Sequence, residues 1–355
     1  MKNNPTLKDL AQKLGLSIST VSRALRNHPD INKNTVSRVK ELADEIGYFP
    51  DVLAKSLKNN KTYTIGVIVP EISHFFFSSV IDGIEDIFYK DGYTILVTKS
   101  NENLEREIIN TKSLISNRVA GVIASISQVT VHGSHFNQII DRGIPLVLFD
   151  RILESLEVSK VVGNDSESVY KTVTHLIESG FKNIAHLAGP PHLNITKHRL
   201  EGYKKALNEN GLKVSDEMII HVDLNQKGGS NGAKSLLKLF PNLDAICCVN
   251  DPVAVGVYQT LKKNKLSIPE DIAVTGFTND PITEMISPTM TTVDQNGYEM
   301  GRKSAEILLD QINNERSETL NRTFMIESEL IIRKSSERKL GGGALKTDTL
   351  SFEEE

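Results

Sequence analysis

Leu7, Leu10, Ala11 and Leu14 share one helical face, and Gly15-Leu16 breaks the pattern. Ser17 is placed to cap a second helix through Leu25, with Ile18, Val21 and Leu25 spaced for partial burial. Asn27-His28-Pro29-Asp30 reads as a turn. Asn32 can cap a third helix whose apolar positions are Val36, Val39, Leu42, Ala43 and Ile46; Gly47 ends it and Pro50 forbids its resumption. Residues 51–60, DVLAKSLKNN, have helical propensity but no partner face and are too short for a stable isolated helix. They read as a hinge that orders on binding.

From Tyr63 onward short β-branched runs alternate with amphipathic stretches. The predicted strands are 63–69, 93–98, 120–125, 145–149, 184–188, 218–221, 244–249 and 272–276. Several are apolar throughout, as parallel strands buried on both faces are. Helices are expected at 78–90, 102–116, 165–179, 197–210 and 252–263, with a last long one at about 295–313 before strand-like runs at 322–326 and 328–332. This is an α/β chain with doubly wound parallel sheets, and eight strands over this length fit two lobes better than one. The expected organisation is a head over 1–50, a hinge over 51–61, and a two-lobed body over 62–334. Lobe 1 takes about 62–161 and 293–320, and lobe 2 about 162–292 and 321–334. The Gly-rich, acidic-ended stretch 335–355 reads as a disordered tail.

Composition narrows the classes. With 39% hydrophobic and 24% charged residues over 355 positions, wholesale disorder is excluded. No apolar run reaches the length of a membrane span, and MKNNPTLKDLAQ lacks the apolar core of a secretory signal, so the cytoplasm is the expected compartment. The two cysteines, Cys247 and Cys248, are neighbours and read as small buried apolar residues in a reduced compartment. Charge is uneven. Residues 1–60 hold ten Lys/Arg against six acids, a net +4, while the whole chain is -4, so the remainder carries -8. A basic head on an acidic body points to a polyanionic partner for the head.

The segment LKDLAQKLGLSISTVSRAL, residues 7–25, follows helix-turn-helix logic, its second helix rich in Ser, Thr and Arg. Such a helix needs small polar residues at its start, hydroxyls for phosphate and a long cation for guanine. Ser17, Ser19, Thr20, Ser22 and Arg23 supply these. An ordinary three-helix packing unit is the bland alternative. No catalytic, metal or cofactor motif emerges: the nine histidines show no HExxH, Gly228-Gly229 reads as a helix-start turn without a phosphate-loop lysine, and no GxSxG elbow occurs. His175 and His186 lie in apolar segments and read as core or half-buried.

The head string, followed by VKELADEIGYFPDVLAKSL, resembles the lactose/galactose-repressor family of bacterial transcription regulators, and IGVIVPEISHFFF, RLEGY, VNDPVAVGV, PEDIAVTGF and TTVDQN continue the resemblance over about residues 6–333. It implies a repressor that binds a double-stranded palindromic operator as a homodimer and answers to a small-molecule effector, a carbohydrate or its derivative, with no membrane partner and no enzymatic role. The recognition helix then starts at Ser17. Ile18 and Ser19 match the positions that choose operator bases, Arg23 the guanine reader, and Thr20 and Ser22 phosphate contacts. Ile18 departs toward the apolar: it can touch a thymine methyl but cannot hydrogen-bond. In the hinge, Leu57 matches the minor-groove wedge, Ala54 lets the helices approach and Lys55 faces groove wall or phosphate, while Asp51 replaces the usual asparagine.

The body resembles periplasmic-binding-protein lobes with a ligand cleft at the strands' carboxyl ends. Phe75 or Phe76 then lines that cleft, Asp150 ends the strand PLVLFD, and Arg199 matches the effector-binding arginine, a surface ion pair being its plainer alternative. Asn250 and Gln295 match ligand-facing positions, and Asp251 reads as an N-cap with Pro252 as the first helical residue. Thr278 stands where relatives carry Asp. Purines, amino acids and phosphorylated sugars stay open beside sugars. Two rivals are a cytoplasmic small-molecule-binding protein whose head is incidental and an α/β enzyme.

Overall fold

The computed structural model describes residues 5–48, 62–314 and 320–338. The chain divides into two compact units, Met1–Thr62 and Tyr63–Glu355.

The first unit holds three helices, α1 (Leu7–Leu14), α2 (Ile18–Leu25) and α3 (Lys33–Ile46). Local chemistry sets their ends. Thr6 and Asp9 form a reciprocal capping box, Ser17 accepts the Thr20 N–H, and Asn32 accepts the Asn34 N–H. Gly15 and Gly47 end α1 and α3 in the left-handed conformation. Leu10, Ala11, Val21, Ala24, Val39 and Ala43 are buried between the three helices. The hinge positions Ala54, Lys55 and Leu57 lie outside the described residues.

The second unit contains two parallel sheets. The first has six strands in the order β11-β5-β4-β3-β1-β2 and the second four in the order β7-β6-β8-β9. In the first sheet β1 is Thr64–Val69, β2 Thr94–Lys99, β3 Gly121–Ala124, β4 Leu146–Phe149, β5 Ser159–Gly163 and β11 Thr323–Ile326. In the second β6 is Ile184–Ala188, β7 Ile219–His221, β8 Ala245–Cys248 and β9 Ala273–Thr275. A small antiparallel pair, β10 (Thr292–Asp294) with β12 (Glu329–Ile331), lies where the chain passes between lobes. β1, β3, β4 and β8 are almost wholly buried apolar runs, as strands covered by helices on both faces must be. The helices flanking the first sheet include α4 (Phe75–Lys90), α5 (Leu104–Ser116), α6 (Ser134–Ile140) and α12 (Gly297–Asn313). Those flanking the second include α7 (Asp165–Glu178), α8 (Asn194–Glu209), α9 (Gln226–Leu239) and α10 (Asp251–Lys263), with a short α11 (Ile282–Met285). α4 and α12 cross closely because Gly83 and Gly301 face each other's helix: a Cβ on either would come within 2.1 Å of a backbone oxygen, of Tyr298 or Val80 respectively.

The lobe boundaries differ from expectation. Thr323–Ile326 pairs with β5 in the first sheet, so this run belongs to lobe 1, and the chain returns to lobe 2 only with β12. Ser335 and Ser336 belong to a buried 3₁₀ turn, not to a tail. Ser335 Oγ donates to Val274 O and accepts from the Thr291 N–H, extending the ordered body through Arg338.

Candidate functional site

On the head, α2 turns Val21 and Ala24 inward and leaves Ile18, Ser19 and Arg23 exposed, with Ser22 half-buried beside them. Thr20 is half-buried, and Ser17 Oγ is shared between the Ser19 and Thr20 hydroxyls, each at 2.8 Å. All six head residues singled out from sequence therefore lie on or beside the first turns of one helix, presenting hydroxyls and one guanidinium outward.

In the body, a narrow pocket lies at the carboxyl ends of both sheets. It gathers all seven positions expected there: Phe75, Phe76, Asp150, Arg199, Asn250, Thr278 and Gln295. Their roles differ. Phe75 is 47% exposed, whereas Phe76 and Phe77 are largely buried and pack edge-to-face at 5.2 Å. Ile195 and Leu224 supply apolar surface from lobe 2.

Arg199 is no surface residue. Its Nε and Nη2 both donate to Asp165 Oδ1 at 2.8 Å, Nη1 donates to Val249 O, and the guanidinium lies 3.8 Å over the Phe277 ring. Asp150 follows β4 in a left-handed backbone conformation (φ 56°), a cost that clusters at functional sites. Burial raises its carboxyl pKa, opposed by Arg151 and Arg199, and Gln295 Nε2 donates to it at 3.3 Å.

The expected cap at Asp251 is corrected to Asn250, whose Oδ1 accepts the Val253 N–H at 2.9 Å and whose Nδ2 donates to Leu224 O. Asp251 instead points inward, where three donors wait: the Asp280 N–H and the hydroxyls of Thr278 and Thr292, at 2.8, 3.0 and 2.7 Å. Gly276 makes room for it, since a Cβ there would lie 2.0 Å from Asp251 Oδ1. Thr278 thus presents a hydroxyl to a buried carboxylate, at a φ of 121° that β-branched residues rarely adopt.

Sequence reasoning missed Arg151, His74, Ile195, Leu224 and Asp280, which also line the cavity. Arg151 is buried and donates from Nη1 to Glu102 Oε1 at 2.7 Å, while its Nε has no hydrogen-bond partner. Burial would raise the Glu102 pKa, but the Arg151 guanidinium and donors from Ser127 and Gln128 hold it below the usual value. Burial, reinforced by Arg151, lowers the pKa of His74. The signal for Arg151 was its place directly after Asp150 at a strand's carboxyl end. Two side chains bridge the lobes beside the cavity. Asn194 Nδ2 donates to Asp150 O and its Oδ1 accepts the Ile152 N–H, both at 2.9 Å; Gln128 Oε1 accepts the Leu224 N–H at 3.2 Å.

A helix-turn-helix head on a two-lobed body with a polar-and-aromatic cleft defines a ligand-responsive DNA-binding regulator. Residues 6–51 match the lacI family of bacterial regulatory proteins, and residues 173–336 match the periplasmic binding protein-like domain. The chain is 31% identical to the HTH-type transcriptional repressor PurR of Vibrio campbellii, over 93% of this chain and 98% of that one. It is 33% identical to the HTH-type transcriptional repressor CytR of Escherichia coli K12, over 93% and 96%. Among solved structures, the transcriptional regulator CelR in complex with cellobiose superposes with a TM-score of 0.72 at 26% identity, covering 93% of this chain and 99% of that one. The chain belongs to the LacI family of transcriptional regulators. Among the described residues no helix is long and apolar enough to cross a membrane.

Proposed function

We propose that the protein is a cytoplasmic, non-catalytic repressor that binds a palindromic operator as a homodimer and releases or tightens its grip when an uncharged sugar closes the two lobes. Ser17, Ile18, Ser19, Thr20, Ser22 and Arg23 meet the major groove, and Ala54, Lys55 and Leu57 meet the minor groove. One head reaches too few phosphates for tight selective binding, and paired heads read both half-sites. Phe75, Phe76, Asp150, Arg199, Asn250, Thr278 and Gln295 hold the effector.

The observation that carries the effector class is the pairing of charge. Both guanidiniums facing the cavity already have a carboxylate partner, Asp165 for Arg199 and Glu102 for Arg151. Asp150 and Asp280 add acidic groups to the lining, with Asp251 directly behind. No net positive charge is left for a phosphate or carboxylate, whose burial without a partner is costly. A sugar ring fits instead: its hydroxyls donate to the acids and accept from the arginines, and its C–H face lies on Phe75. The cellobiose bound by CelR agrees with that chemistry. Calorimetry with a panel of neutral mono- and disaccharides beside their phosphates tests this reading. A neutral sugar is expected to bind and its phosphate to fail; binding of the phosphorylated members alone would contradict it.

A further inference from the structure

Ile18 is the first residue of α2 and is 50% exposed, although it is the largest apolar side chain on that helix's outer face. At 100° per residue, Ser22, Ser19 and Arg23 form the outward face of α2, and Ile18 lies at its edge, between Ser22 and the buried Val21. The second helix of a helix-turn-helix enters the major groove with its first residues nearest the base edges. What those residues can read is set by their free hydrogen-bonding groups. Here the hydroxyls of Ser17, Ser19 and Thr20 bond to one another, and Ser17 Oγ also accepts the Thr20 N–H. Ile18 stands among these hydroxyls and itself offers only a methyl-rich surface. As a β-branched residue on a helix it is held near one χ1 rotamer, so this surface is rigid. In the major groove one base feature suits such a surface, the 5-methyl group of a pyrimidine.

We propose that Ile18 reads a pyrimidine 5-methyl group, so that each operator half-site carries a thymine opposite the start of α2 and 5-methylcytosine can stand in for it there. The inference rests on the recognition-helix assignment under Proposed function. It assigns Ile18 a sequence-selecting role that needs no hydrogen bond, beside Arg23 as the donor that reads a guanine.

The test uses the full chain and an operator selected by it from a randomised duplex pool. Each thymine is replaced in turn by deoxyuridine, which removes only the methyl group. One symmetric pair of positions should lose about fourfold in affinity per half-site, about fifteenfold for the palindrome, as expected for one uncovered methyl contact. Cytosine at that position should bind poorly and regain most of the affinity when methylated at C5. Ile18→Ser, at an exposed position that leaves the head core intact, should become insensitive to both swaps. If every deoxyuridine substitution leaves wild-type affinity unchanged while Arg23→Ala still weakens binding and relaxes specificity, the methyl reading is overturned and the recognition helix stands. If Arg23→Ala and Ile18→Ser both leave binding to the selected operator unchanged, the recognition-helix assignment itself falls and takes the inference with it.

Discussion

Arg199 and Asp165 are locked together through two 2.8 Å contacts, and neither side chain is more than 2% exposed. The pair joins α8 to the start of α7 and aims the guanidinium along the cleft floor. Removing one member leaves the other charged and buried, which costs about 3–5 kcal/mol in such pairs. Arg199→Ala should therefore lower the stability of the body by that order and abolish the effector response, while operator binding by the helix-turn-helix head persists. Thermal unfolding and gel-shift titration with and without effector check this. A retained response in Arg199→Ala would remove Arg199 from the effector site.

Asn194 and Gln128 carry hydrogen bonds from one lobe to the other. Asn194 satisfies two backbone groups of the opposite lobe, and Gln128 one. Asn194→Ala uncovers a buried carbonyl and a buried N–H, each worth about 1–3 kcal/mol when left unpaired. Effector affinity should fall more than tenfold in Asn194→Ala and by a smaller factor in Gln128→Ala, with small-angle scattering showing a larger radius of gyration for the ligand-free variants. Unchanged affinity and dimensions in both variants would show that these bridges do not govern closure.

Two buried groups of lobe 2 make stability depend on pH in opposite directions. Burial lowers the pKa of His186 to about 4, so its contribution is present above the unfolded value near 6.5 and is lost as pH falls. Burial raises the pKa of Asp251 to about 6, so the folded state favours its proton and stability falls as pH rises from about 4 to about 6. Each effect is on the order of 3 kcal/mol, and within that window they offset one another. His186→Phe should then show stability falling between pH 4 and 6, and Asp251→Asn stability rising over the same range, relative to a flatter parent. Denaturant unfolding across pH 4–7.5 reads both. Parallel curves for all three proteins would sink the assignment.

Much of this was legible in the sequence because it is written in local chemistry. The caps at Ser17 and Asn32 and the stops at Gly15 and Gly47 are set by residues one turn away. The apolar strands announce themselves in the same way. The seven cleft positions were placed by motif and meet in one cavity. What escaped depends on distant partners. β5, SKVVG, carries too little apolar signal to stand out, and nothing local says that 323–326 joins it instead of the second sheet. α9 was hidden by its glycines, which read as a turn. They are there because a Cβ at Gly229 would lie 2.0 Å from Val253 O of α10. Asn250 took the cap from Asp251 because the carboxylate had three donors to satisfy, two of them 27 and 41 residues away. Gln128 and Asn194 are ordinary polar residues until the fold brings their partners from 96 and 44 positions off.

The most direct test is the affinity of the full chain for its selected operator, measured with and without a saturating effector, together with the effector's affinity for the free and the operator-bound protein. A cleft that controls the head must change operator affinity by a coupling factor of about 5–150, and the effector's affinity by the same factor. Identical operator affinity with and without an effector that calorimetry shows to be bound would contradict the account.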